Sequence, residues 1–245
     1  MSEIEKFENQ KKENIAIQGA DKNAIVAGHH FMKVANEHNY SYNFTWMGRP
    51  IIQYPQDIIA LQEIIWSVKP DLIIETGIAH GGSIILSASM LELLGGDGHV
   101  LGIDIDIREH NKVEILKHPM AKRITMIEGS STSEETFNKV KEYVKPEQKV
   151  LVILDSNHTH DHVFAELKLY AQFVTKDSYA IVFDTVIEDL GDNYDWKGRP
   201  WGKGNNAKTA VWSFLENNKD FEIDKSMDNK LLISVAPDGY LKKVK

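Results

Sequence analysis

The pattern that most restricts this chain is an apolar run closed by an acid, repeated along the sequence. Its first occurrence is Asp71-Leu72-Ile73-Ile74-Glu75-Thr76-Gly77. That run leads into Ile78-Ala79-His80-Gly81-Gly82-Ser83, an apolar stretch over 84–94, and a second run, His99-Val100-Leu101-Gly102-Ile103-Asp104. The spacing predicts strand, glycine-rich turn, helix and strand, a βαβ unit whose crossover is long enough to join parallel strands. Glycines let the first turn approach a ligand with no Cβ in the way. Asp104, at the tip of the second strand, is placed to accept hydrogen bonds from ribose hydroxyls.

A Gly-x-x-x-Gly-Gly turn can also close a tight bend and bind nothing, and Asp104 can simply cap a strand. The acid that ends the first run therefore carries the argument. Dinucleotide-binding turns place their first glycine at that point, because a pyrophosphate sits on the helix N-terminus. Glu75 would repel a pyrophosphate and suits a cationic amino-acid ligand. S-adenosylmethionine (SAM), with a sulfonium, an ammonium group and no phosphate, meets that condition.

The same pattern continues downstream. Ile124-Thr125-Met126-Ile127-Glu128-Gly129 reads as a third strand, and Tyr179-Ala180-Ile181-Val182-Phe183-Asp184 as a fifth. Between them, Val150-Leu151-Val152-Ile153-Leu154-Asp155 is continuously apolar, as a central parallel strand buried on both faces should be. Helical spacing separates the runs: Ile58, Leu61, Ile65 and Val68 behind Pro55; a segment near Arg108 to Leu116; Phe137, Val140 and Val144 behind a Thr132/Glu135 capping box; and Val163, Leu167, Tyr170 and Val174. The expected fold is α/β, a mostly parallel sheet with helices on both faces. Glu75, Asp104, Glu128, Asp155 and Asp184 then share the rim beyond the strand ends, where open parallel sheets bind ligands. Residues 186–206 read as a long loop whose Arg, Trp, Lys and Asn side chains suit a polyol substrate and whose glycines permit closure. After a helix from about Ala207 to Asn217, the runs 221–223 and 231–235 are expected to pair antiparallel at the sheet edge.

Composition works mainly by exclusion. A net charge of −8 argues against broad, sequence-independent nucleic-acid binding. The absence of cysteine rules out disulfides, thiolate metal sites and cysteine nucleophiles together. No stretch approaches the roughly 18 apolar residues of a membrane span, and the start, Met-Ser-Glu-Ile-Glu-Lys, lacks signal character. A cytoplasmic protein is expected, with self-association left open. Residues 1–40 are expected to be a helical or partly ordered arm, followed by the functional domain over 41–245. Tyr40, Tyr42, Phe44, Trp46 and Tyr54 serve either as packing or as the wall of a substrate pocket.

Five stretches together resemble the cephalosporin hydroxylase / rhamnosyl O-methyltransferase family of SAM-dependent enzymes. They are Trp46-Met47-Gly48 through Pro55, Asp71 to Ser83, Asp155-Ser156-Asn157-His158 with His162-Val163, Phe183-Asp184-Thr185, and Asp238-Gly239-Tyr240-Leu241. The resemblance implies a class I methyltransferase, Rossmann-like seven-stranded sheet, with SAM in the Glu75–Ser83 turn. It also implies a divalent cation beside the methyl donor, usually magnesium, with Asp155 and Asp184 as ligands and His158 as base. Hard oxygen donors favour Mg²⁺, Mn²⁺ or Ca²⁺ over zinc. Phe183 stands where the family's other strand-end acid is expected, so Glu188 or Asp189 substitutes for it, or water does, or the site is empty. With the rim acids, the candidate cofactor contacts are Glu75, Gly77, His80, Gly81, Ser83, Asp104, Glu128, Gly129, Ser130 and Asp155.

The implied activity is SAM-dependent O-methylation of a sugar hydroxyl in polysaccharide or glycoconjugate synthesis, with Asp155 and His158 as the catalytic residues. Two other classes fit parts of the chain. A SAM-binding subunit without activity is suggested by Phe183. A non-haem iron oxygenase would use His158-Thr159-His160-Asp161-His162, although i, i+2, i+4 spacing at a helix start does not aim all three side chains one way.

Overall fold

In the computed structural model, which describes residues 1–190 and 198–245, the acid-terminated runs become neighbouring strands of one sheet. Helices α1 (Glu3–Ala20) and α2 (Lys22–Asn36) lead to a short hairpin, β1 (Phe44–Trp46) and β2 (Arg49–Ile51), and then to α3 (Pro55–Val68). The alternating part follows: β3 (Leu72–Thr76), α4 (Gly82–Leu94), β4 (His99–Asp104), α5 (Glu109–Lys117), β5 (Ile124–Glu128), α6 (Glu134–Lys141), β6 (Val150–Leu154), α7 (His160–Tyr170) and β7 (Tyr179–Val182). The chain closes with α8 (Ala207–Asn217), β8 (Phe221–Ile223), α9 (Lys225–Leu231) and β9 (Tyr240–Lys243).

The main sheet has seven strands in the order β5-β4-β3-β6-β7-β9-β8. Its first five strands are parallel, and β9 runs antiparallel to both β7 and β8. Side chains alternate between two cores, as the two-residue period of a strand requires. Ile73, Leu151, Ile153 and Ile181 enter one, and Leu72, Ile74, Val150 and Val152 the other. Burial on both faces explains why these runs are apolar at every position.

Register then sets the site. Thr76 is level with Ile103 on one side and Leu154 on the other, so Gly77, Asp104 and Asp155 leave the sheet side by side.

The edge pairing differs from the sequence expectation. Phe221–Ile223 is a strand, but its partner is β9, and the run 231–235 is not a strand. The reason is Asp57, fully buried in the first turn of α3. Its carboxylate accepts from Ser234 Oγ (2.6 Å), Val235 N (2.9 Å) and Tyr240 Oη (2.7 Å), drawing that stretch away from any ladder. Helix α6 also starts later than the Thr132/Glu135 box suggests, with Ser133 as its N-cap. At the other end, α1 buries none of its residues and is held by the Gln18 amide on the carbonyls of Asn229 and Lys230, whereas α2 buries Gly28 and Met32.

Candidate active site

The glycine-rich turn is shaped by main chain and braced by three distant side chains. Gly77 leaves β3 at φ 90°, and a Cβ there would run into the Asp155 carbonyl. Asp104 Oδ2 accepts from the amides of Ile78 (2.8 Å) and Ala79 (3.2 Å). Arg49 donates to the His80 carbonyl from Nε (3.0 Å) and Nη2 (2.7 Å). Asn111 donates to the Ala79 carbonyl (2.9 Å) and accepts from the same guanidinium (2.9 Å). Gly81 caps α4, and a Cβ on Gly82 would strike the Pro50 carbonyl, so the 49–54 segment lies directly across the helix start.

Around this turn the protein gathers several carboxyl groups. Glu75 is fully buried and neither of its oxygens has a hydrogen-bond partner. Burial pushes its carboxyl up to about 8, an effect the neighbouring Ser83 hydroxyl only partly offsets. Asp155 is driven well above the usual carboxylate range, first by burial and then by the charges of Asp184, Glu75, Glu166 and Asp57. Asp155, His158 and Asp184 each place a ligand atom within 4.8 Å of the others. Within that group, His158 Nε2 lies 3.0 Å from Asp184 Oδ2. Asp184 adopts a left-handed backbone, φ 56°, where its short polar side chain is tolerated better than most. Two carboxylates and an imidazole are a fitting donor set for a hard divalent cation, and a cation between Asp155 and Asp184 would relieve their repulsion.

These groups border one cavity of about 890 Å³, which runs from the glycine-rich turn and Asp104 to the Asp155 cluster. Residues from outside the sheet complete its lining: Asn36, Asn39, Ser41, Tyr42, Gln53 and Tyr54, with Arg199 and Trp201. Trp201 meets the His158 ring edge-on at 4.6 Å, and the Arg199 guanidinium lies over the indole at 5.3 Å.

A family model described as rhamnosyl O-methyltransferase/CmcI matches residues 38–244. The chain belongs to that family. Among relatives, the rhamnosyl O-methyltransferase of Mycobacterium leprae is 29% identical over 212 residues, covering 83% of this chain and 85% of that protein. The rhamnosyl O-methyltransferase of Mycobacterium bovis is 29% identical over 205 residues, covering 80% and 77%. A CmcI structure with Mg and SAM shares the fold, with a TM-score of 0.59 at 20% identity over 83% of this chain and 78% of that one.

For this member of the rhamnosyl O-methyltransferase/CmcI family, the sequence-derived site residues divide into three groups. Gly77, His80, Ser83, Asp104, Asp155, His158 and Asp184 line the cavity, Gly81 caps α4 without lining the cavity, and Glu75 lies buried beneath it. Glu128, Gly129 and Ser130 do not line it: β5 is the edge strand, Glu128 is exposed, and Gly129 packs against Thr136. Glu188 and Asp189, expected as replacements for the acid missing at Phe183, are engaged elsewhere. Glu188 Oε2 accepts from Asn206 and from Gly204 N, while Asp189 takes both its hydrogen bonds from Lys208 (2.8 and 2.7 Å).

Of the histidines considered for iron, only His158 joins the cluster. His160 pairs with Thr209, and His162 lies against Ser131 and Ser156. The expectation of a closing loop over 188–206 falls partly on residues 191–197, which lie outside the described residues. Sequence reasoning missed Arg49, Asn111, Gln53 and the pairing of Trp201 with His158. The Trp46–Pro55 stretch and the 186–206 loop were singled out, but the role of each of these residues is not legible there, since each acts on residues far away in the chain.

Proposed function

We propose that the protein is a SAM-dependent O-methyltransferase that methylates a sugar hydroxyl with the help of a divalent cation, in the cytoplasm, during polysaccharide or glycoconjugate synthesis. The observation that carries this reading is the placement of Asp155, His158 and Asp184 in the same cavity as the Gly77–Ser83 turn. The family relatives named for rhamnosyl O-methyl transfer support the substrate class.

The charge balance supports the cofactor class. Glu75, Asp155 and Asp184 supply acceptors in excess, so the site suits a ligand that brings cationic donors and disfavours one that brings phosphates. The turn would cradle the cofactor and Asp104 would face its ribose while bracing the loop. Asp155 and Asp184 would hold the cation, with water in the remaining positions.

When bound, SAM supplies an activated methyl group and the cation supplies Lewis acidity that lowers the pKa of an adjacent hydroxyl. His158 would take the hydroxyl proton, and the Asp184 carboxylate beside its Nε2 would stabilise the imidazolium. Trp201 presents a flat apolar ring to the acceptor, and the wall keeps water from competing as nucleophile.

Calorimetric titration with SAM, S-adenosylhomocysteine and NAD, followed by methyl transfer to a rhamnoside acceptor with and without chelator, tests the proposal. Tight binding of SAM and S-adenosylhomocysteine with chelator-sensitive transfer is expected. Binding of NAD but not SAM would overturn it.

A further inference from the structure

We propose that Gln53 anchors the amino-acid end of the cofactor, its Oε1 accepting from the ligand's α-ammonium group while its Nε2 steadies Asp155. This rests on the methyltransferase reading above and extends it to a residue on the segment that crosses the helix start. Gln53 borders the cavity yet is only 4% exposed. Its Nε2 donates to Asp155 Oδ2 at 3.2 Å, and its Oε1 has no hydrogen-bond partner among the described residues.

The contact with Asp155 orients the amide. With the NH₂ end on Asp155 Oδ2, the carbonyl oxygen points elsewhere. A buried amide oxygen without a donor is unfavourable, and proteins rarely leave one unless a ligand or water completes it. The donor that completes Gln53 must come from a group tolerated beside the Asp155 carboxyl that the same amide contacts. A phosphate or carboxylate would add acceptors to acceptors. An ammonium nitrogen brings three N–H donors and a positive charge.

Position separates this end of the ligand from the ribose end. The Asp155 carbonyl abuts Gly77, so Gln53 sits where the chain leaves β3, whereas Asp104 leaves from the neighbouring β4. The last torsion of a glutamine is soft and broad. A small turn of the carboxamide therefore presents Oε1 to the cavity without displacing Asp155.

The test uses the full chain, with Gln53→Leu and the volume-preserving Gln53→Met, and two probes. S-adenosylhomocysteine carries the amino-acid end; 5′-methylthioadenosine has the same adenosine and sulfur without it. Both variants should bind S-adenosylhomocysteine about ten-fold more weakly and 5′-methylthioadenosine unchanged, as loss of one charge-assisted hydrogen bond requires. Unchanged binding of the second probe also certifies that the variants are folded. An S-adenosylhomocysteine analogue lacking only the amino group should be bound weakly by the wild type and no more weakly by the variants. Equal losses for both probes, or no loss for either, would overturn the assignment of Gln53. Wild-type protein that binds neither probe would instead remove the methyltransferase reading itself.

Discussion

His158 Nε2 and Asp184 Oδ2 stand 3.0 Å apart, an imidazole set against a carboxylate that leaves the sheet from the neighbouring strand. The pair can take up a proton as a unit, with the charge formed on the ring neutralised on the spot. The same atoms are close enough to Asp155 to share a cation with it. Base and ligand are different roles for His158, and they are separable by experiment.

Titration with Mn²⁺, read by its paramagnetic effect on water relaxation, separates them. Asp155→Asn should lose cation binding, whereas His158→Ala should keep it within a few-fold and lose about 10²–10⁴ in methyl transfer. His158→Ala that no longer holds Mn²⁺ would make the imidazole a ligand and leave the base unassigned.

Glu75 sets a stability trend with pH. Its carboxyl keeps a proton in the folded protein until about pH 8, while in the unfolded chain it titrates near its ordinary value of 4.5. The folded state thus binds the extra proton across that window, and stability falls as pH rises through it. Glu75→Gln should flatten this slope and stabilise the protein at pH 8 by a few kcal/mol, on the order of the shift itself. Above about pH 8, where the wild-type carboxyl is ionised and the variant's amide is uncharged, it should also weaken S-adenosylhomocysteine binding. Thermal melts from pH 5 to 8 check the first half; a slope identical to wild type would show that Glu75 is not the group responsible.

Glu188 should be irrelevant to the cation. Its carboxylate holds Asn206 and Gly204 N, so Glu188→Gln is expected to leave Mn²⁺ affinity unchanged and to loosen the 199–206 wall, raising the KM for the acceptor. A fall in Mn²⁺ affinity would return Glu188 to the ligand set.

Lys208 is nearly buried and gives Asp189 both of its hydrogen bonds. Lys208→Met strands a half-buried carboxylate and should destabilise the protein by about 2–3 kcal/mol, below the range for a fully buried pair because Asp189 keeps some contact with water. Adding Asp189→Leu should restore most of that loss in denaturant melts. Additive losses would show that the two side chains are not energetically coupled.

How far the sequence revealed these features depended on their range. β3, β4, β6 and β7 were legible because burial on both faces makes an unbroken apolar run, and their terminal acids follow by position. The run 231–235 has the same texture, yet Asp57, nearly the whole chain away, claims Ser234 and Val235. Glu188 and Asp189 were assigned by closeness in sequence to Asp184. Their hydrogen-bond partners, Asn206 and Lys208, begin a helix on the far side of the loop, and only the fold shows that these groups are already satisfied. Arg49 and Gln53 lie in the Trp46–Pro55 stretch that carries the resemblance and Asn111 in no motif, but nothing local shows what any of them does, because they join segments that are separate in the chain.

Where Gly77 meets the Asp155 carbonyl and Gly82 meets the Pro50 carbonyl, the cofactor end of the cavity is main chain seated on main chain. Two short peptides outside the sheet, 36–42 and 199–201, also line the cavity, and on the proposed reading they face the acceptor. Recognition is therefore modular. The cradle has no room for a Cβ at Gly77 or Gly82, while on the proposed reading exchange of those two peptides for a relative's should change the sugar accepted and leave methyl transfer in place.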